Sequence, residues 1–291
     1  MIFNRENFTG WLFILPAVLG VVLFRFWPAL NAIIQSFYEF SLLSPQKFFT
    51  GLGNYRELLF GDPTFYKSLF VTFKYLIMRV PMEVGLALVL ALALNQQKKI
   101  INVIRTIVFT PVVASMIVVS VLWTLMYHPM NGIINSLLTM MGLPAQEFLS
   151  SATQALPSLT VSIVWKRVGF SMVIIIAGLK QIPQHFYEAA KIDGANAFQQ
   201  FRYITLPLLK GTLKYVTVMA TIFSFQVLGP IYVMTQGGPI DSTRILIYYV
   251  YEQGFQNLRM GYANALSLVL LIVLAIISYF QIRILGEDVE Y

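Results

Sequence analysis

EAAKIDGANAFQQFRYITLP, Glu188–Pro207, lies between two long apolar segments. It is a polar, helix-compatible interlude in a chain otherwise built for lipid. Pro183, just upstream, is tolerated in a first helical turn. The residues after it favour helix except at Gly194, which costs helix stability and permits a bend or a close backbone approach. Ala189, Ala190 and Ile192 form a small apolar face that Phe198 and Phe201 extend, while Glu188, Lys191 and Asp193 stay polar. Pro207 suits the first turn of the next helix. Residues 183–207 therefore read as a short helix, a kink and a re-entry helix. Two readings stand: a connector resting at the lipid headgroups, or a docking element for a partner.

The composition decides which solvent the rest of the chain meets. Only 11% of the 291 residues are charged and 57% are hydrophobic, whereas a soluble domain carries about 25% charged residues. The chain reads as an integral membrane protein. It has no Cys, which excludes disulfides, thiolate metal sites and a Cys nucleophile. His128 and His185 stand too far apart for a local metal motif and read as ordinary loop-end residues. The net charge of +7 is assigned to membrane topology rather than to nucleic acid.

A spanning helix needs about 20 mainly apolar residues. Six segments qualify, at about 11–37, 69–94, 106–127, 155–179, 212–234 and 262–283. The apolar N-terminal run lacks a clear cleavage site and reads as a retained first span. The runs lack the alternation of an outer-membrane barrel, so the fold class is all-α, a polytopic bundle forming one membrane domain over residues 1–291. Met126 opens a segment with a Pro-Met-Asn-Gly turn and an amphipathic run suited to the outer interface. Thr235 opens a compact turn cluster. With the N-terminus inside, ten Lys and Arg fall in inside segments or, for Lys214 and Arg283, at the inner ends of spans, and five in outside ones. The positive-inside rule then puts both termini and the 180–211 connection in the cytoplasm.

The 188–207 stretch also resembles the cytoplasmic signature of permease subunits of bacterial ABC importers. Glu188, Ala189 and Ala190 open it, Gly194 follows after three residues, Ile204 after nine more, and Leu206-Pro207 close it. Arg105–Trp123, Val164–Pro183 and MTQGGP at Met234–Pro239 are similar to the carbohydrate-importer branch related to maltose permeases. The resemblance implies a type I importer permease fold in a bacterial inner membrane, with six helices and a coupling helix between the fourth and fifth. It also implies a second homologous permease, two ATPase subunits and an extracytoplasmic solute-binding protein. Coupling to the ATPase falls on Glu188, Ala189, Ala190, Asp193 and Gly194.

No G-x-x-x-x-G-K-[ST] motif is present, so the chain has no P-loop of its own. It is read as a non-catalytic subunit that binds no cofactor, with ATP and Mg used by the partner. No residue is assigned a catalytic or metal-binding role. The competing classes are a stand-alone secondary transporter or channel, and a membrane scaffold. Neither explains the cytoplasmic signature, and the internal repeat common in secondary carriers is not evident.

Charges inside spans mark the candidate solute pathway, because burying charge in hydrocarbon is costly. Arg79 and Glu83 are four apart and can pair on one helix face. Either they pair structurally or they contact solute, and their loss is expected to impair transport more than assembly. Lys74 snorkels outward; Lys166 and Arg167 do the same or line a cavity. Phe225, Gln226 and Asn264 offer stacking and hydrogen bonding suited to a sugar or small oligosaccharide. Arg167 departs from the uncharged polar residue often found there in that family. It leaves room for an anionic sugar or a phosphorylated polyol.

Overall fold

The computed structural model describes residues 5–44 and 46–284. Both termini, whose cytoplasmic side the charge count predicts, lie outside the described residues. In chain order the helices begin with α1 (Arg5–Val21), α2 (Trp27–Gln35), α3 (Gly53–Phe60), α4 (Pro63–Ala93), α5 (Lys99–Val113) and α6 (Met116–Met126). Next come α7 (Ile133–Met140), α8 (Ala155–Gln181), α9 (Gln184–Ile192), α10 (Ala197–Gln200) and α11 (Leu206–Leu208). The last are α12 (Lys210–Phe225), α13 (Leu228–Met234), α14 (Leu246–Tyr251) and α15 (Met260–Ile284).

Four stretches are single helices long and apolar enough to cross a bilayer: Trp11–Gln35, Pro63–Ala93, Ala155–Gln181 and Met260–Ile284. The third and fifth expected spans are instead bent pairs. α5 and α6 meet at 101°, and α12 and α13 at 47°. Ala114 and Ser115 both take extended backbone between α5 and α6. Gln226, where α12 stops, stands four residues before Pro230. A helical proline clashes with the carbonyl four residues back, and the break falls at that distance from Pro230, although α4 carries Pro81 in its interior without breaking.

Pro28 and Pro207 are accommodated by widened turns. Pro28 follows a widened five-residue turn at Val22–Phe26, and Pro207 follows another at Phe201–Thr205. In each, a backbone N–H reaches five residues back, Trp27 to Val22 and Leu206 to Phe201. Opening the turn by one residue makes room for the ring.

The chain divides into two compact units, residues up to Pro63 with Val250–Leu271, and Thr64–Tyr249 with residues from Ile272 onward. The first contains the only strands among the described residues, a departure from a purely helical reading. They form an antiparallel hairpin pairing Tyr38 with Phe49 and Phe40 with Lys47. Asn54 Nδ2 donates to the Ser36 and Tyr38 carbonyls at 2.8 and 3.0 Å, fixing α3 to the hairpin. At Gly261 a Cβ would lie 1.8 Å from the Tyr38 carbonyl oxygen; only glycine fits there. Arg259 donates to Glu57 at 2.6 Å. That hydrogen bond raises the guanidinium's pKa above its ordinary value.

In the second unit α8 is the central element. Two thirds of its most apolar window is buried (67%), against 28% for α4. Ala87 and Ala91 of α4, Val164, Met172 and Ile175 of α8, and Leu209 and Val216 build one core cluster. Small residues let the helices close on each other. A Cβ at Gly169 would fall 2.4 Å from the Val108 carbonyl, and one at Gly178 would fall 2.4 Å from Thr212 Oγ1. Arg105 closes the C-terminal end of α4, its Nε donating to the Leu94 carbonyl at 2.9 Å. The segment expected at the outer interface contains α7. The turn cluster is a loop with Gln236, Gly237, Ile240 and Asp241 at positive φ. Lys67 and Arg244 hold the Asp241 carboxylate at 2.8 and 2.7 Å.

Candidate functional site

The two helix breaks and the middle of α8 enclose one cavity of about 400 Å³. Met116, at the start of α6, lines it beside Arg79, Lys166, Arg167, Phe223 and Gln226. Non-helical backbone within a membrane protein must be buried in protein or face a cavity, because lipid cannot satisfy its polar groups. The α12–α13 break follows that rule, with Gln226 and Val227 on the cavity wall.

Arg79 and Glu83 pair as their spacing predicted, at 2.8 Å, with 1% and 2% of their side chains exposed. The pair is a junction of three helices. Arg79 also donates to the Ala220 carbonyl at 3.0 Å and to Ser224 Oγ at 2.7 Å. Glu83 accepts from Ser171 Oγ at 2.8 Å. Arg79 reaches the cavity wall, but Glu83 is not among the lining residues. Its carboxylate is enclosed in the core as the counter-charge of Arg79.

Lys166 neither snorkels nor stands free. Its ammonium donates to the carbonyls of Pro111, Val112 and Ala114 at 3.2, 3.1 and 2.7 Å. Those groups lie at the severed C-terminal end of α5, where carbonyls lose their intrahelical partners and a cation is favoured. Lys166 is therefore the cap of the break. Lys74 is exposed, as expected of a snorkelling residue.

Arg167 is half-buried at the wall, its guanidinium carbon 3.7 Å from the Phe223 ring centroid. Gln226 lines the same cavity. Phe225 does not: it is 2% exposed and belongs to the core. Phe223, two residues earlier, is the aromatic at the wall, and sequence reasoning passed over it. Asn264 belongs to the other compact unit, where it donates to Gln35 Oε1 at 3.4 Å. Of the seven expected pathway residues, the cavity thus gathers Arg79, Lys166, Arg167 and Gln226.

The 183–207 segment packs Tyr187 against the core cluster, with Tyr187 Oη and Thr205 Oγ1 3.0 Å apart, and turns much of the rest to solvent. Pro183 precedes α9 in extended backbone, and α9 ends at Ile192. Gly194 has φ +78. Its N–H bonds the Lys191 carbonyl at 3.1 Å, and Ala195 N–H bonds Ala190 at 2.8 Å. This paired arrangement ends a helix with its glycine in the left-handed region. Asn196 and Gln199 then cap α10 reciprocally. Glu188, Ala189 and Asp193 are exposed and Ala190 is partly covered. Ile192 is 88% and Phe198 73% exposed, so two large apolar side chains stand out from a polar element.

The sequence pattern of one family, described as the binding-protein-dependent transport system inner membrane component, matches residues 83–290. The sn-glycerol-3-phosphate transport system permease protein UgpA of Brucella suis biovar 1 (strain 1330) is 33% identical, over 95% of this chain and 94% of its own length. The arabinooligosaccharides transport system permease protein AraP of Bacillus subtilis (strain 168) is 31% identical, over 98% of this chain and 91% of its own. A chain in the crystal structure of a bacterial alginate ABC transporter, in complex with a periplasmic protein bound to alginate pentasaccharide, superposes with a TM-score of 0.84. The identity is 22%, and the match covers 98% of both chains. That likeness establishes the fold.

Proposed function

This chain belongs to the family of binding-protein-dependent transport system inner membrane components, and from that premise we propose that it forms half of the translocation pathway of an ABC importer for a sugar or small oligosaccharide. The observation that carries the reading is the cavity where two broken spans meet α8 beside Arg167 and Gln226. Interrupted helices around a polar cavity are how membrane transporters admit a solute without exposing unpaired backbone to lipid. Of the relatives, AraP, named for arabinooligosaccharides, supports the saccharide class, whereas UgpA, named for sn-glycerol-3-phosphate, favours the phosphorylated-polyol alternative.

The energy enters from another chain. This sequence has no P-loop, and the 183–207 element supplies a surface for the subunit that has one. Glu188, Ala189, Ala190, Asp193 and Gly194 form the contact with the ATPase, and Ile192 and Phe198 are its apolar anchors. ATP and Mg belong to that partner. Its closure presses on α9, whose ends run directly into α8 and, through α10 and α11, into α12. Tilting those two helices switches the side to which the cavity opens. The other members of the assembly are a second homologous permease, a second ATPase subunit and an extracytoplasmic solute-binding protein. Both termini face the cytoplasm of a multi-pass inner-membrane protein, and residues 1–291 act as one permease domain.

Reconstitution with these partners in proteoliposomes tests the proposal. The expected result is saccharide uptake that requires the binding protein and ATP inside reach of the ATPase. Full uptake by this chain alone, with no ATPase, would instead establish a stand-alone transporter.

A further inference from the structure

Arg167 carries five N–H donors, and none of them reaches an acceptor among the described residues. Its buried Nε is left without a partner. The other charges at or beneath the cavity wall are all engaged. Lys166 caps three carbonyls, Arg79 holds Ala220, Ser224 and Glu83, and Glu83 also takes Ser171. Arg167 feels the Glu83 carboxylate through space without a hydrogen bond to it, and its guanidinium carbon stands against two aromatic faces, Phe223 at 3.7 Å and Phe170 at 5.4 Å.

A guanidinium inside a bundle costs free energy unless it is hydrogen-bonded. Protein groups do not supply those bonds here, so what fills the cavity must. Water does so when no solute is bound. A solute that displaces that water must replace its hydrogen bonds or lose affinity. Phe223 meanwhile holds the planar fork at the wall, which lowers the entropy of ordering it.

We propose that Arg167, backed by Phe223, is the solute-reading residue of the cavity, and that it takes two adjacent oxygen acceptors of a saccharide in a bidentate contact. A planar fork matches a pair of oxygens, which a sugar presents either as neighbouring hydroxyls or as a ring carboxylate. Gln226, on the same wall, adds an amide donor and acceptor. The inference rests on the cavity being the solute pathway, and it predicts discrimination against analogues lacking either oxygen.

The test uses the assembled transporter in proteoliposomes, with maltose, lactose and arabinobiose as neutral probes and digalacturonate as the acidic one. Arg167→Gln and Arg167→Lys are compared with wild type for uptake and for ATPase activity stimulated by the binding protein. Lysine keeps the charge but not the fork. The expected result is uptake lowered about tenfold or more in both variants, with stimulated ATPase retained within about twofold, because the defect is in reading solute and not in assembly. A loss confined to digalacturonate assigns the oxygens to a carboxylate; a loss on a neutral probe assigns them to hydroxyls. The chain has no Cys, so Met116→Cys places a single thiol on the same cavity wall with Arg167 intact; a transported probe should slow its alkylation, and should slow it less once Arg167→Gln is added. Unchanged uptake in the Gln variant, or protection of the Met116→Cys thiol that Arg167→Gln leaves unaltered, overturns this inference alone. A wild-type complex that takes up none of the probes overturns the functional reading together with it.

Discussion

Lys166 Nζ lies 2.7 Å from the carbonyl oxygen of Ala114, across 52 residues of chain. The contact joins α8 to the severed end of α5, and makes a charge inside a span part of the scaffold. Replacing Lys166 by Met leaves three carbonyls without their cation. An orphaned carbonyl costs about 1–3 kcal/mol when fully buried, and these three, being part-buried, cost less. The Met variant should therefore show a lower Tm in detergent, and Lys166→Arg a smaller loss. A Met variant melting with wild type would show that water caps the break equally well.

The Arg79–Glu83 pair invites a double-mutant comparison. Removing one partner of a buried pair leaves an uncompensated charge, at about 3–5 kcal/mol. Because Arg79 ties α4 to α12 and Glu83 ties α4 to α8, the loss shifts from transport toward assembly. Glu83→Ala should lower the yield of folded protein in the membrane. Replacing both residues by Met should recover much of it. Normal yield for Glu83→Ala, with transport abolished, would return the pair to the solute pathway.

At Gly194 the constraint is backbone and not space. No atom lies within 4 Å of where its Cβ would be, but φ is +78. An L-residue there costs about 1–2 kcal/mol, and asparagine tolerates the region best. The intuition that Ala would firm up a helix at this position is thus reversed. Gly194→Ala and Gly194→Val should insert normally yet lose the ATPase or uncouple it from transport, and Gly194→Asn should be the mildest. Co-purification of the ATPase, with uptake and hydrolysis measured in the same vesicles, is the readout. Wild-type coupling in the Val variant would reduce residues 188–207 to a connector.

Topology is open to a simpler measurement. A reporter fused after Tyr291 should be active only in the cytoplasm, as the ten-to-five excess of Lys and Arg on the inside requires. An extracytoplasmic signal would invert the orientation, and with it the side on which an ATPase meets α9.

The sequence by itself determined the helical membrane character, the approximate location of six apolar segments, the Arg79–Glu83 pair and the 188–207 signature. Each depends on residues close in the chain: a hydropathy window, a spacing of four, a fixed local motif. The tertiary structure alone decided which spans break, and what each charge inside them does. Lys166 reaches Ala114, Glu83 reaches Ser171 and Arg79 reaches Ala220 across 52, 88 and 141 residues. No local period encodes such contacts. The same limit explains the aromatic that was misassigned. Phe223 and Phe225 are equally apolar, but two helical steps rotate a side chain about 200°. One ring therefore meets Arg167 at the cavity while the other enters the core, a choice made by how α12 packs against its neighbours.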